Sequence, residues 1–380
     1  MSRRKIIAGS ILLVVVTFVL TSGMFLYLLN SKTGDVTSTF KFLRAMQVVK
    51  SRYVEDVPYD TLMAGAIKGM IASLGDPHSI YMDAKLYKEF MVETEGSFGG
   101  VGIVLGVKDK TLTVVSPIEG TPGDKAGIKS GDQIVKIEGK ETKDMALDEA
   151  VNKIRGPEGS QVTLTIKRDQ EMKDYTLTRS NIQIKTVGGK MLPGNIGYIR
   201  ISMFNEATGS DFIKKYQELE KEGMQGLILD LRDNPGGLLD ESVKVAGKLV
   251  PKGPVVSVVT RDGHRETHSS KLEAVKYPLV VLVNGGSASA SEIVSGAVQD
   301  TGSGTLVGTK TYGKGSVQTI MRLDGDTAMK LTIAKYLTPN DRSINGVGIE
   351  PDVKIEPVDP QSGKDNQLDK AIEIIKGKMK

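Results

Sequence analysis

Between Ile196 and Val307 the chain alternates short apolar runs with amphipathic stretches of helical length, and this alternation limits its possible folds more than any other feature. Ile196–Ile201, Leu227–Leu231, Val255–Val259, Pro278–Val283 and Leu306–Val307 read as strands. Gly209–Lys221, Gly237–Leu249 and Ser287–Gln299 carry apolar residues at three-to-four spacing and read as helices. Leu227–Leu231 is apolar apart from Asp230, so both its faces need cover, which helices on a mostly parallel sheet provide. Val317–Leu323 and Met329–Tyr336 read as a hairpin across Gly325.

Upstream, Gly96–Gly102 leads into short strands (Val101–Val107, Thr111–Val115, Asp132–Ile137, Val162–Lys167) with one helix at Met145–Ile154, about the size of a small independent module. Thr37–Leu74 reads as two helices divided at Pro58 and stopped by Gly75-Asp76-Pro77. Residues 357–365 read as a linker, with a terminal amphipathic helix at Leu368–Ile375. The apolar stripes of the N-terminal helices and of the terminal helix need burial, and a homodimer is expected to supply it, with intramolecular packing the competing outcome.

Arg3, Arg4 and Lys5 precede Ile6–Leu29, which carries no charge and is long enough to span a bilayer core that needs about 20 apolar residues. A cleaved signal peptide would have a shorter apolar region and an A-x-A-like site, so an uncleaved transmembrane anchor is expected. The basic cluster puts the N-terminus in the cytoplasm and the rest of the chain outside it. With 50 basic and 46 acidic residues interspersed, no nucleic-acid surface is expected. The absence of Cys excludes disulfides, thiolate zinc sites and cysteine nucleophiles.

Three segments carry the chemistry. In Leu282–Ile293 (LVNGGSASASEI) an apolar strand enters a Gly-Gly turn and leaves as a helix, where free N–H groups and the helix dipole favour negative charge on an attached oxygen. Ser289-Ala-Ser-Glu292 is equally a sound capping box, so structure alone explains that serine. A nucleophilic serine needs a base. His264 and His268 sit in a polar stretch, and Arg265 stands where H-E-x-x-H has Glu, so neither a histidine base nor a metal is expected there. Lys314, between Gly313 and Gly315, remains, though alone it and Lys310 read as solvated loop lysines. The third segment, Leu229–Gly237 (LDLRDNPGG), ends a strand in a Pro-Gly-Gly turn whose N–H groups suit an oxyanion, or serve as a plain turn.

In this order the three segments resemble the carboxy-terminal processing peptidases, the tail-specific serine proteases with a Ser/Lys dyad. Phe98-Gly-Gly-Val-Gly-Ile103 is similar to a PDZ carboxylate-binding loop, Ala126–Ile137 to the PDZ A-G-[IL]-x-x-G-D-x-I signature, and Leu74–Tyr81 to the segment preceding the PDZ domain in this family. The resemblance implies a multidomain α/β chain: an anchor (1–30), a helical N-terminal region (31–95), a PDZ domain (96–181), an α/β protease core (182–356), and a linker with a C-terminal helix (357–380). It implies Ser289 as nucleophile with Ser287 and Ser291 in support, Lys314 as general base, Gln318 as its orienting partner, and an oxyanion hole from Gly236, Gly237 and Ala290. Gly100, Val101, Gly102 and Ile103 would receive a peptide C-terminus as an added strand, with Arg155 sensing its carboxylate or bridging PDZ and protease. Lys314 must act as a neutral amine although a free lysine titrates near pH 10.4, so the site has to desolvate it. No cofactor or metal is required. The substrates implied are proteins or peptides with exposed, apolar C-termini. The alternative is a catalytically silent PDZ scaffold, which the intact Ser, Lys and Gln disfavour; acyl-CoA chemistry on a related turn is disfavoured by the PDZ-like module.

Overall fold

The computed structural model describes residues 11, 13–24, 27, 36–108, 110–359 and 363–379, in two compact units, one ending at Tyr81 and the other beginning at Met82. In the first, residues 13–24 are helical (α1). The expected anchor over residues 1–30 lies partly outside the described residues, and among those described no helix is long and apolar enough to cross a membrane. α2 (Val36–Arg52) and α3 (Tyr59–Ala72) follow, parted at Pro58, which occupies the N-cap of α3. Lys50 holds the joint by donating to the Asp56 carboxylate and, at 2.8 Å, to the Val57 carbonyl. Phe40, Leu43, Val48 and Val49 of α2 are exposed.

The second unit opens with α4 (Ala84–Glu95), capped by the Asp83 carboxylate and stopped by Gly96 at φ 68°. Strands Ile103–Lys108, Thr111–Pro117, Gln133–Ile137, Gln161–Arg168 and Glu171–Thr178 then pair in antiparallel order. The one-turn α5 (Pro122–Lys125) and the amphipathic α6 (Leu147–Ile154) accompany this sheet, α6 burying Ala150 and Ile154 against Ile134, Ile137 and Leu164. Ser97–Gly100 pairs with Ser180–Gln183, so the module's two ends meet. Buried Asp132 is held by Arg168 at 2.7 Å through both carboxylate oxygens. Burial alone would raise its pKa; the guanidinium and the Lys129 amide hold it below the ordinary carboxylate value.

The remaining chain builds a six-stranded sheet in the order Val187–Leu192, Ile196–Ile201, Gly226–Asp230, Leu279–Val283, Thr305–Gly308, Val353–Lys354. The first pair is antiparallel and the others parallel, so the sheet is mixed. Its strands alternate strictly. Leu227 and Leu229 join one core with Phe212 of α7 (Thr208–Lys221), Val245 of α8 (Leu239–Ala246) and Val294 of α9 (Ala290–Asp300). Ile228 faces the other way, into a core with Ala371 and Ile375 of α10 (Asn366–Lys378). This corrects one expectation: the stripe of the terminal helix is buried on the protease sheet rather than against a second chain. Arg232 fixes that seat, pairing with fully buried Asp230 (2.6 Å) and with Asp365 (2.8 Å) at the N-cap of α10.

Val255–Val259 does not join the parallel sheet, as its apolar run suggested. The strand Gly253–Thr260 pairs antiparallel with Arg265–Ser270, read from sequence as a polar loop, and with Thr327–Leu337, which also pairs with Ser316–Asp324 across Gly325. Arg265–Ser270 lacks apolar alternation because it is largely exposed on both sides, with only Ser270 fully buried.

Candidate active site

The strand Leu279–Val283 ends in Asn284-Gly-Gly, and three alternating serines follow. Two are fully buried and occupied with structure: Ser287 donates to the Leu231 carbonyl at 2.8 Å, and Ser291 to the Asn234 carbonyl at 3.0 Å. They sew this turn to the neighbouring Pro-Gly-Gly turn. Ser289 stands between them at the N-cap of α9 with φ 53° and ψ −112°. A non-glycine residue there costs on the order of 1–3 kcal/mol, a strain found where the surrounding structure over-determines a functional position. Ser289 lines a cavity of about 480 Å³ together with Gly236, Gly237, Lys314 and Gln318. A depression of about 550 Å³ beside Gln299 and Gly348 is lined by the Arg342–Asp300 ion pair and by no nucleophile.

Fully buried Glu292 locks the two halves of this site. Its carboxylate accepts from the Ser289 amide (2.9 Å), the Lys314 amide (2.8 Å), the Gly313 amide (2.8 Å) and the Thr311 hydroxyl (2.5 Å). Tyr336, also buried, donates its hydroxyl to the Lys314 carbonyl and is hydrogen-bonded to the Ser289 side chain. Burial and then the Glu292 charge push its pKa well above that of a free tyrosine, so it stays a donor. Gln318 donates its amide nitrogen to Ser316 (2.8 Å) and Thr332 (3.2 Å), leaving its carbonyl oxygen as the end that suits an ammonium.

The oxyanion expectation needs one correction. The Gly236 N–H donates to Asn234 Oδ1 at 2.8 Å and is spent. The Gly237 and Ala290 N–H groups donate to no acceptor among the described residues. Gly236 matters by its size: a Cβ there would stand 2.8 Å from the Ser289 Cβ. Gly237, at φ 137°, would place one 2.1 Å from the Phe204 carbonyl oxygen.

In the PDZ-like module the Val101 and Gly102 carbonyls accept from Gly123 (2.7 Å) and Ile118 (2.8 Å), while the N–H groups of the same two residues donate to nothing among the described residues. Gly100 is tied into its strand opposite Ser180, and Ile103 opens the next. The Arg155 guanidinium stacks 4.2 Å from the Phe98 ring and pairs with no carboxylate among the described residues. Burial lowers its pKa, opposed by Glu89 of α4.

Sequence reasoning did not find Tyr336, the α4 residues Phe90 and Met91 that line the cavity, or Lys330 on its hairpin wall. It took Glu292 for a capping residue only. A capping box is an ordinary local pattern, and the acid's extra acceptors are used by groups about twenty residues downstream.

Comparison with known proteins shows the family. The model of peptidase family S41 matches residues 195–355, a PDZ-domain model matches 113–168, and that of the activating protease CtpB N-terminal domain matches 28–86. The carboxy-terminal-processing protease of Bartonella bacilliformis is 42% identical over 88% of this chain and 79% of its own length. The carboxy-terminal processing protease CtpA of Bacillus subtilis is 40% identical over 90% and 76%. The chain belongs to the carboxy-terminal processing proteases of peptidase family S41. A solved photosystem II D1 C-terminal processing protease, 31% identical, aligns over 84% of this chain and 94% of its own with a TM-score of 0.50. Membership makes the chain a serine-type peptidase carrying a PDZ domain, and within the family pattern the cavity around Ser289 is the candidate active site.

Proposed function

We propose that this protease cleaves peptide bonds through a Ser289–Lys314 dyad and selects substrates by their C-termini. The observation that carries the reading is the strained Ser289 at the start of α9, facing the same cavity as Lys314 and backed by the carboxylate that holds both backbones. As Ser289 Oγ bonds to the substrate carbonyl carbon, its proton passes to the neutral Lys314 amine. The carbonyl oxygen becomes an oxyanion that the Gly237 and Ala290 N–H groups receive; donors of this kind are typically worth about 2.7–4 kcal/mol each. Lys314 then protonates the departing amine as the C–N bond breaks. Water then gives a proton to the same lysine as it bonds to the acyl carbon, and the lysine returns that proton to Ser289 Oγ as the acyl C–O bond breaks.

In this reading the open amides of Val101 and Gly102 receive the terminal carboxylate, with Arg155 beside them. A peptide ending in a free apolar residue is expected to be cleaved about tenfold or more faster than its C-terminal amide, since losing a charge-assisted hydrogen bond costs about 1.5–3 kcal/mol. Arg155→Ala is expected to shrink that ratio. Equal rates for acid and amide in the wild type would sink C-terminal recognition.

The anchor over residues 1–30 and a homodimer covering the exposed face of α2 belong to the same proposal. Retention of the full chain in the aqueous phase on detergent partition would overturn the first, and a single-chain mass in solution the second.

A further inference from the structure

We propose that Lys330 is a specificity-determining residue that binds a carboxylate of the substrate close to the bond being cut. This rests on the reading of the Ser289 cavity as catalytic. Lys330 projects from the strand Thr327–Leu337 into the wall of the cavity that Ser289 and Lys314 also line. Its ammonium makes no hydrogen bond or ion pair among the described residues. Its ammonium lies 5.5 Å from the Phe90 ring of α4, and the residue paired with it across the strand is Ile320, which offers no charge.

Three exposed lysines give a contrast. Lys85, Lys244 and Lys276 are exposed and each meets a carboxylate within 3.1 Å. Lys330 is half-buried between Phe90 and Ile320, where an unpaired charge costs free energy. Burial lowers its pKa, and Glu93 of α4 is felt only as a charge across space, without a bond. Glu93 lines the same cavity but forms no bond with the ammonium, so among the described residues Lys330 has no bonded anion, and a bound peptide is what enters there. The chemistry it recognises is a carboxylate, from an acidic side chain near the scissile bond or from the α-carboxylate of a short tail.

Both sources are testable with one set of peptides. In the first arm the peptides are C-terminally amidated and differ only by Glu or Gln at each of the three positions on either side of the cleaved bond. In the second, an all-Gln peptide is compared as free acid and as amide. The readout is the ratio of kcat/KM within each protein, so partial loss of fold in a variant cancels, and any PDZ contribution to the second ratio is common to all variants.

The wild type is expected to prefer Glu at one position, or the free acid, by about tenfold. Lys330→Met is expected to bring that ratio towards one, and Lys330→Arg to restore most of it. Ratios unchanged by Lys330→Met in both arms overturn the proposal. The same ratios are measured as dissociation constants on Ser289→Ala protein. Cleavage by that variant would overturn the catalytic reading, while its binding ratios would still decide the carboxylate site.

Discussion

Ser289→Ala is expected to lower kcat on a cleavable peptide by on the order of 10⁵–10⁶-fold, and Lys314→Ala by a comparable factor, as for nucleophile and base in other serine hydrolases. The double variant should lose little more than either alone, because a nucleophile without its base and a base without its nucleophile fail at the same step. Substrate binding should survive, since the PDZ-like groove and the apolar cavity walls are untouched. The measurement is single-turnover cleavage of one defined peptide by wild type, both single variants and the double. Full activity in Ser289→Ala would remove Ser289 as nucleophile. Additive losses in the double variant would mean that the two residues act in separate steps. Ser287→Ala and Ser291→Ala are the informative controls, because their hydroxyls are spent on the Leu231 and Asn234 carbonyls and their loss should be felt first in stability.

Glu292→Ala is expected to damage both stability and rate. It strips acceptors from three buried or half-buried amides and from the Thr311 hydroxyl at once, and each buried donor left unsatisfied costs about 1–3 kcal/mol. Relaxation and entering water recover part of this, so a loss of about 3–5 kcal/mol is expected, as for other buried charges removed from their partners. Rate should suffer beyond stability. The carboxylate holds the Ser289 and Lys314 backbones to one point, and a misplacement of about 1 Å can cost about 100-fold. Glu292→Gln retains one carbonyl oxygen and should fall between wild type and alanine. The check is kcat against KM at a temperature where every variant is folded, with thermal unfolding of each. A Glu292→Ala protein that unfolds early yet turns over at the wild-type rate when folded would show that the acid only caps its helix.

Much of this was legible in the chain because it is local. The apolar runs Leu227–Leu231 and Pro278–Val283, the helix-stopping Gly75-Asp76-Pro77 and the hairpin across Gly325 depend on residues close together in sequence, where period and turn chemistry act. The candidate dyad was legible for a different reason. Three short segments in one order resembled a family, although each alone had an ordinary structural explanation: a capping box, a solvated lysine and a plain turn.

What the structure alone decided are long-range pairings. Gly253–Thr260 carries an apolar run, Val255–Val259, broken only by Ser257, yet it pairs with Thr327–Leu337 instead of entering the parallel sheet, a choice made by a partner 74 to 80 residues away. The stripe of α10 needed cover, but only the burial of Ile228, Val280 and Leu282 on the back of the sheet against Ala371 and Ile375 says that the cover is intramolecular. Gly236 and Gly237 look alike in sequence, and a side chain two residues earlier consumes the amide of one and leaves the other open. Glu292 and Lys330 show the same principle from two sides. A buried acid gathers donors from a distant loop, and a lysine on an ordinary hairpin stands in a cavity with no ion pair among the described residues, because charge balance is settled in space rather than along the chain.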